Sequence, residues 1–277
     1  MSPGEETRLG LRLHYDGSGF FGWQSQKEER TVQGELEAAV ERLTGRRRTV
    51  IGSGRTDRGV HATGQVAAVD VPARWTPAEF RRACNAVLPG DLWVQEVRRV
   101  APDFHPRYDA VARTYVYRVG LAREAWSPFH KRWCWPVRGS VDRKALEAAA
   151  ARVPGDRSFR AFAKTGQPER GYRCVVETAE WSDWGELGLA FTIRANRYLH
   201  HMVRYLVGTM VDVARGRRPP EDVSALLEEP SPALETSPPA PPRGLFLAHV
   251  EYPADAWGAD GGPDPADAAF TTRAEER

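Results

Sequence analysis

A glycine-rich loop between two apolar segments constrains the fold of this chain more than any other feature. The loop covers residues 52–62, and the apolar segments 49–51 before it and 65–71 after it are predicted to be β-strands. Its three glycines let the backbone take conformations that other residues avoid. Such a loop can bring its backbone close to a ligand, so this part of the sequence predicts a strand, a functional loop and a strand.

The loop carries one aspartate, Asp57, between Arg55 and Arg58. A nearby cation favours an ionised carboxylate, which can act as a nucleophile or as a base. The same residue types also allow a structural interpretation, in which an arginine–aspartate pair only braces a turn. The glycine spacing matches neither a dinucleotide-binding loop nor a nucleotide P-loop, so these two classes of site are excluded.

The order of predicted elements indicates an α+β protein with two similar halves. The first half reads strand, helix, strand, strand, helix and strand, with Thr31 as one helix N-cap and Thr76-Pro77 opening the other helix. The second half repeats this order loosely and contains a long predicted helix over 198–215. We therefore expect two RRM-like or ferredoxin-like αβ halves, whose mainly antiparallel sheets lie side by side with a cleft between them.

The expected domain boundaries follow from the same pattern. Residues 1–8 form an N-terminal extension, 9–110 the first half with the Asp57 loop, and 111–253 the second half. Residues 254–277 are polar and acidic, so this tail is predicted to be disordered. Six prolines within 230–242 predict an extended loop before the last strand.

The composition of the chain limits the classes of protein to which it can belong. No apolar run is long enough to span a membrane. The three cysteines are far apart and form no Cys-x-x-Cys pair, which indicates neither a disulfide framework nor a structural zinc site and favours a reducing cytoplasm. A net charge of +2 argues only weakly for nucleic acid. Arginine clusters at 46–48, 81–82, 98–99 and 215–218 can pair with phosphate or serve only as solubilising charge.

The literal sequence of the loop is more specific than its chemistry. Residues 54–66 closely resemble the catalytic motif of tRNA pseudouridine synthases of the TruA family. Further motifs of that family are matched in the same order along the chain, at 15–17, 22–26, 85–91, 104–108, 112–117, 158–160, 199–204 and 242–247. A chance match over most of a chain is not expected.

The resemblance implies an enzyme that isomerises uridine to pseudouridine at positions 38, 39 and 40 of the tRNA anticodon stem-loop, with no cofactor and no metal. It also implies two pseudo-symmetric αβ halves around a basic cleft, in a homodimer. Asp57 matches the catalytic aspartate, and Arg55 the motif arginine beside it that helps to hold the flipped nucleotide. Tyr115 matches the tyrosine that stacks under the uracil, and Arg204 the arginine that pairs with the aspartate.

Two features depart from the family pattern. Arg58 stands where the family usually has a small residue, and its charge could contact phosphate or perturb the carboxylate. Residues 164–173 match the family's arginine-threonine segment poorly. The sequence also leaves open whether Asp57 attacks C1′ or removes the C2′ proton.

Two other functions compete with the isomerase. A non-catalytic RNA-binding protein on the same scaffold would not need Asp57 or Tyr115, and both are present. A nucleoside hydrolase would share the chemistry at C1′ but normally needs a second carboxylate, whereas the loop supplies one.

Overall fold

Two groups of strands, one from each half of the chain, are joined in a single sheet. The computed structural model describes residues 5–164, 171–228 and 233–257. The strands in these residues are β1 (Glu6–Tyr15), β2 (Ile51–Gly52), β3 (His61–Pro72), β4 (Leu92–Arg99), β5 (Ala112–Gly120), β6 (Trp135–Pro136), β7 (Gly155–Ser158), β8 (Arg173–Trp184), β9 (Gly188–Ala195) and β10 (Leu245–Glu251). Their order across the sheet is β4-β1-β3-β10-β5-β9-β8-β7, with β2 beside β3 and β6 beside β5.

The helices form where the sequence supplies caps and an apolar stripe. They are α1 (Val32–Thr44), α2 (Pro77–Val87), α3 (Arg143–Ala150), α4 (Met202–Ala214) and α5 (Glu221–Leu227). The Thr31 side chain accepts a hydrogen bond from the Gly34 N–H, and Thr76 forms a capping box with Glu79. The predicted α+β class and the element order of the first half are confirmed.

Each half has its own hydrophobic core. In the first, Leu36 of α1 and Phe80 of α2 are buried in the same cluster as Leu11 of β1. In the second, Leu206 of α4 is buried with Phe191 of β9. Each such side chain contributes about 2 kcal/mol relative to exposure. In the part of the chain that the structure describes, no helix has the length and apolar character needed to cross a membrane.

The last strand connects the two halves, which the sequence did not predict. β10 pairs in parallel with β3, through Phe246 opposite His61, and antiparallel with β5 on its other side. Gly64 permits this close approach, because a Cβ there would lie 2.1 Å from the Ala248 carbonyl oxygen. The two sheets expected side by side are therefore one sheet, and β10, assigned to the second half, also completes the first.

The first and the last of the expected domain boundaries differ from those in the structure. β1 begins at Glu6, so the last residues of the expected extension belong to the sheet. Trp257 is only 9% exposed, packs in the first core and stacks on Tyr252 with ring centroids 5.6 Å apart. Order therefore extends at least to Trp257 instead of ending at 253. The remainder of the predicted tail, and part of the predicted proline loop, lie outside the described residues.

Candidate active site

A cleft of about 1520 Å³ lies between the two halves. The first half contributes the glycine-rich loop, the second contributes residues 196–204, and β5 supplies Tyr115. Among the described residues that line the cleft, Asp57 is the only carboxylate. The lining cations are far more numerous: Arg55, Arg58, Arg107, Arg113, Lys164, Arg197 and Arg204. The cleft is therefore electropositive around one negative group, which suits a polyanionic ligand.

The loop is fixed on both sides of Asp57. Directly before Asp57 in the chain, the Thr56 hydroxyl lies 2.9 Å from the Tyr15 hydroxyl, and the Thr56 carbonyl accepts a 3.0 Å hydrogen bond from the Trp23 N–H. After Asp57, the Val60 N–H donates a hydrogen bond to the Asp57 carbonyl at 3.1 Å. These contacts hold the backbone that carries the carboxylate, so its position is set before any ligand binds.

Gly22 is the residue that lets a second loop pack on this one. Its φ is +92°, and a Cβ there would lie 2.6 Å from the Thr56 carbonyl oxygen. Positive φ and close backbone approach both favour glycine. The motif that contains Gly22 and Trp23 is thus a scaffold for the Asp57 loop.

Three side chains from the second half surround the Asp57 carboxylate. His200 Nε2 lies 3.2 Å from Oδ1, His201 Nε2 lies 3.3 Å from Oδ2, and Arg204 Nη1 lies 3.5 Å from Oδ2. Arg204 is held in place because its Nε donates to the Ala240 carbonyl at 2.7 Å. The structure thus brings Arg204 to Asp57, as the resemblance implies for that pair.

The two histidines are functional candidates to which the sequence analysis gave no role. They stand in the 199–204 motif, directly before the start of α4. The predicted helix began at 198, but α4 begins at Met202 because His201 adopts the left-handed conformation with φ of +65°. Such a conformation in a residue other than glycine is strained, and it turns both rings toward Asp57. In the sequence, the His-His pair close before Arg204 and at the start of a helix could have indicated this role.

Burial and the neighbouring cations keep His201 uncharged. Burial lowers the pKa of His201 to about 4, with Arg204, His200 and Lys164 acting in the same direction and Asp57 opposing them. At neutral pH the ring is therefore neutral, and it donates to Asp57 if its single proton is on Nε2. His200 is the more accessible of the two rings, with its side chain 54% exposed.

Tyr115 lies half-buried in the wall of the cleft. Its ring meets the edge of the Tyr198 ring at a centroid distance of 4.8 Å, and the Tyr198 hydroxyl donates to the Ile193 carbonyl at 2.8 Å. Burial, followed by the neighbouring Tyr15 and then Asp57, raises the pKa of Tyr115 well above its ordinary value. Tyr115 is therefore a neutral, positioned aromatic surface.

The arginines that flank Asp57 in sequence do not neutralise it. Arg55 is exposed on the cleft wall, and within the described residues it forms no ion pair with Asp57. The Arg58 Cζ lies 3.9 Å from the centre of the Phe21 ring. Neither flanking arginine therefore holds Asp57 from within its own loop. The groups that contact the carboxylate come instead from residues 200–204, far along the chain.

Arg113 is a second residue that the sequence analysis left without a role. Its guanidinium donates to the Ser53 carbonyl at 3.0 Å and to the Asn196 carbonyl at 3.0 Å. It therefore ties the start of the glycine-rich loop to the second half across the cleft floor. Burial lowers the pKa of Arg113 from its ordinary high value without removing its charge at neutral pH.

The group around Asp57 is also the place where a metal could be held. One donor atom each from Asp57, His200 and His201 lies within 4.8 Å of the others. Imidazole and carboxylate donors suit divalent transition metals. The guanidinium of Arg204, 3.5 Å from the same carboxylate, opposes a cation there. The resemblance implies chemistry without a metal.

Comparison with known proteins identifies the family. A family model described as tRNA pseudouridine synthase matches residues 13–109 and 149–253. A tRNA pseudouridine synthase A from Moorella thermoacetica is 42% identical over 246 residues, which cover 88% of this chain and 99% of that protein. Proteins of the same name from Maridesulfovibrio salexigens and Chloroflexus aurantiacus are 37% and 41% identical, over 88% of this chain and 90% and 88% of their own lengths. The chain is therefore a member of the tRNA pseudouridine synthase family, in its TruA group.

Proposed function

We propose that this enzyme isomerises uridine to pseudouridine at positions 38, 39 and 40 of the tRNA anticodon stem-loop, with Asp57 as the catalytic carboxylate. Family membership makes the chain an isomerase that acts on tRNA uridine. The observation that supports the role of Asp57 is its setting. It is the one carboxylate among the described lining residues of an electropositive cleft, and three side chains of the other half converge on it.

The reaction needs few groups. The C1′–N1 bond breaks, the uracil turns, and a C1′–C5 bond forms. The ring then loses the proton at C5 and gains one at N1, so no net group is transferred and no electron is lost. An ionised carboxylate can attack C1′ or remove the C2′ proton. Arg204, at 3.5 Å, stabilises negative charge on Asp57 in either mechanism.

The target uridine must leave its stack before this chemistry can begin. We assign Tyr115 to stack under the extruded uracil, because its neutral ring lines the cleft that holds Asp57. We assign Arg55 to the backbone of the flipped nucleotide. Its exposed guanidinium on the cleft wall is free of an Asp57 ion pair within the described residues, so its planar fork is available for phosphate.

A homodimer in the cytoplasm completes the proposal. A stem-loop extends beyond one cleft, so a second subunit can supply part of the basic surface that holds it. A monomer mass from light scattering at micromolar concentration would contradict this part of the proposal without affecting the chemistry.

The alternatives fit the cleft less well. A hydrolase of the usual paired-carboxylate kind lacks its second acid among the described lining residues. A purely RNA-binding protein has no need for a carboxylate in a cleft that binds a polyanion, because that charge repels phosphate.

One assay separates the three functions. The enzyme is incubated with tRNA that carries tritium at uracil C5, and released tritium and free uracil are measured. We expect tritium release without free uracil from the wild type and none from Asp57→Asn, which should still bind tRNA. Free uracil would indicate a hydrolase, and binding without tritium release would indicate an RNA-binding protein.

A further inference from the structure

Arg58 is a cleft residue that the proposed function does not use. It follows Asp57 directly, is exposed, and places its Cζ 3.9 Å from the centre of the Phe21 ring. The sequence left two roles open for it, a contact to RNA or a perturbation of the carboxylate. Because the guanidinium is placed over Phe21, the geometry favours a contact to RNA.

The segments that carry the two partners are joined through their backbones. The Gly59 N–H donates to the Phe20 carbonyl at 3.3 Å, and the Phe21 N–H donates to the Arg30 carbonyl at 2.9 Å. Phe21 is half-buried, so its ring is part of the protein surface rather than a free side chain. The Arg58 guanidinium therefore lies on the ring of Phe21, whose position relative to Asp57 is fixed by these backbone hydrogen bonds.

A neighbouring pair shows what an internal arginine–aromatic contact looks like in this protein. The Arg30 Cζ lies 4.2 Å from the Phe20 ring centre, but Arg30 also forms ion pairs with Glu35 and Asp91, both at 2.7 Å. Arg58 has no carboxylate partner within the described residues. Its N–H groups and the face turned away from Phe21 thus remain available to a ligand in the cleft.

We propose that the outer face of the Arg58 guanidinium is the stacking surface for a base adjacent to the flipped uridine. This rests on the proposed function, because a uridine that leaves its stack exposes a face of its neighbour. Guanidinium planes stack on unpaired bases. Arg58 follows Asp57 directly in the chain and lines the same cleft, so its guanidinium is available to the nucleotides that flank the target.

The test combines protein variants with modified RNA. Anticodon stem-loops are prepared with all bases present, or with an abasic nucleotide on the 5′ or on the 3′ side of the target. Equilibrium binding and single-turnover rates are measured for the wild type, Arg58→Ala and Arg58→Lys. Arg138→Ala is the matched control, since Arg138 is also an exposed arginine over an aromatic ring (Trp126, 4.7 Å) but does not line the cleft.

We expect Arg58→Ala to weaken binding of the complete stem-loop by about 10-fold, and Arg58→Lys to weaken it nearly as much. One of the two abasic RNAs should bind the wild type and Arg58→Ala equally, because the stacking partner is then already absent. Arg138→Ala should match the wild type. Phe21→Leu, which keeps an apolar side chain but removes the ring, should reproduce part of the Arg58→Ala loss.

Three results would overturn the proposal. Recovery of binding by Arg58→Lys would mean a phosphate contact made by charge alone. Equal losses on complete and on both abasic RNAs would exclude stacking on a neighbouring base. Unchanged binding by Arg58→Ala would exclude any contact with RNA. Failure of the proposed function is distinguishable, because the wild type itself would then form no pseudouridine on the complete stem-loop.

Discussion

Arg204 Nη1 lies 3.5 Å from Asp57 Oδ2, so a cation of the second half meets the carboxylate of the first across the cleft. The Arg204 side chain is 12% exposed and that of Asp57 is 24% exposed, so water screens the pair less than a surface pair. The Arg204 carbonyl also accepts from the Ala240 N–H at 2.9 Å. The site is thus assembled only when both halves and the segment before β10 are folded together.

Arg204→Gln should lower the single-turnover rate by about 10- to 100-fold while tRNA binding changes much less. The variant can keep a hydrogen bond to the Ala240 carbonyl but loses the charge beside Asp57. Arg215→Gln, at the other end of α4 and outside the lining of the cleft, is the control. A loss that appears only in binding would assign Arg204 to the RNA instead of to the carboxylate.

The left-handed conformation of His201 gives a second prediction, in which stability and activity separate. His201→Gly removes the strain of φ +65°, so the free energy of unfolding should stay level or rise by about 1 kcal/mol. Turnover should nevertheless fall, because the contact to Asp57 at 3.3 Å is lost. Denaturant unfolding and single-turnover rates test both parts. A variant that is both stable and fully active would show that the ring has no role.

The same residue predicts a pH dependence of stability. Its pKa is about 4 in the folded protein, below the ordinary value of 6.5, so the unfolded chain binds more protons between these two pH values. The free energy of unfolding due to this group should therefore fall as the pH is lowered from 6.5 to 4 and level off below 4. His201→Asn should flatten that part of the profile. The facing groups Asp57, His200, Arg204 and Lys164 are unchanged in this comparison.

Local features of the fold were predictable from the sequence, and non-local ones were not. Thr31 and Thr76 stand at the starts of their helices because capping depends on a few adjacent residues. The position of β10 between β3 and β5 depends on pairing across more than 100 residues, which no local pattern encodes. The start of α4 was misplaced because Leu199 fits the apolar stripe although His201 breaks the helix.

In the candidate site, too, the sequence indicated the residues that stand close together in the chain but not the contacts between distant ones. Asp57 and Arg55 stand in one contiguous motif, whereas Tyr115 and Arg204 were assigned through the family resemblance alone. The histidines that contact Asp57 were not assigned a role, because the His-His pair beside Arg204 does not show in the sequence which loop of the other half it faces. Trp257 was placed in the tail on composition, since two isolated aromatic residues, Trp257 and Phe270, among acidic and small residues give no periodic signal.

Trp257 leads to a fourth prediction, on truncation. Deleting 258–277 should leave stability and turnover nearly unchanged, because that segment is acidic and lacks apolar periodicity. Deleting 254–277 also removes Trp257, whose ring packs beside Phe104 and beneath the Arg12 guanidinium, and should cost about 3 kcal/mol of unfolding free energy. Trp257→Ala in the full chain should reproduce that loss. Equal stability of both truncations would exclude a role of Trp257 in the core.

Arg55 allows a test of mechanism. Arg55 does not pair with Asp57 within the described residues, so a role in neutralising the carboxylate is not what its position favours. If it holds the backbone of the flipped nucleotide, its planar fork matters and lysine cannot replace it. Arg55→Lys should then lose ~10²-fold in single-turnover rate on complete tRNA, as a positioning contact of ~3 kcal/mol would give.

The control for Arg55 is a stem-loop whose target uridine is already unpaired. Extrusion costs less there, so Arg55→Lys should regain part of its lost rate relative to the wild type. Both substrates are compared with both proteins at saturating enzyme, so that differences in binding do not enter the rates. Equal losses on paired and unpaired targets would exclude a role in base flipping and would assign the fork of Arg55 to another step, whereas full activity of Arg55→Lys on both substrates would mean that Arg55 acts through its charge alone.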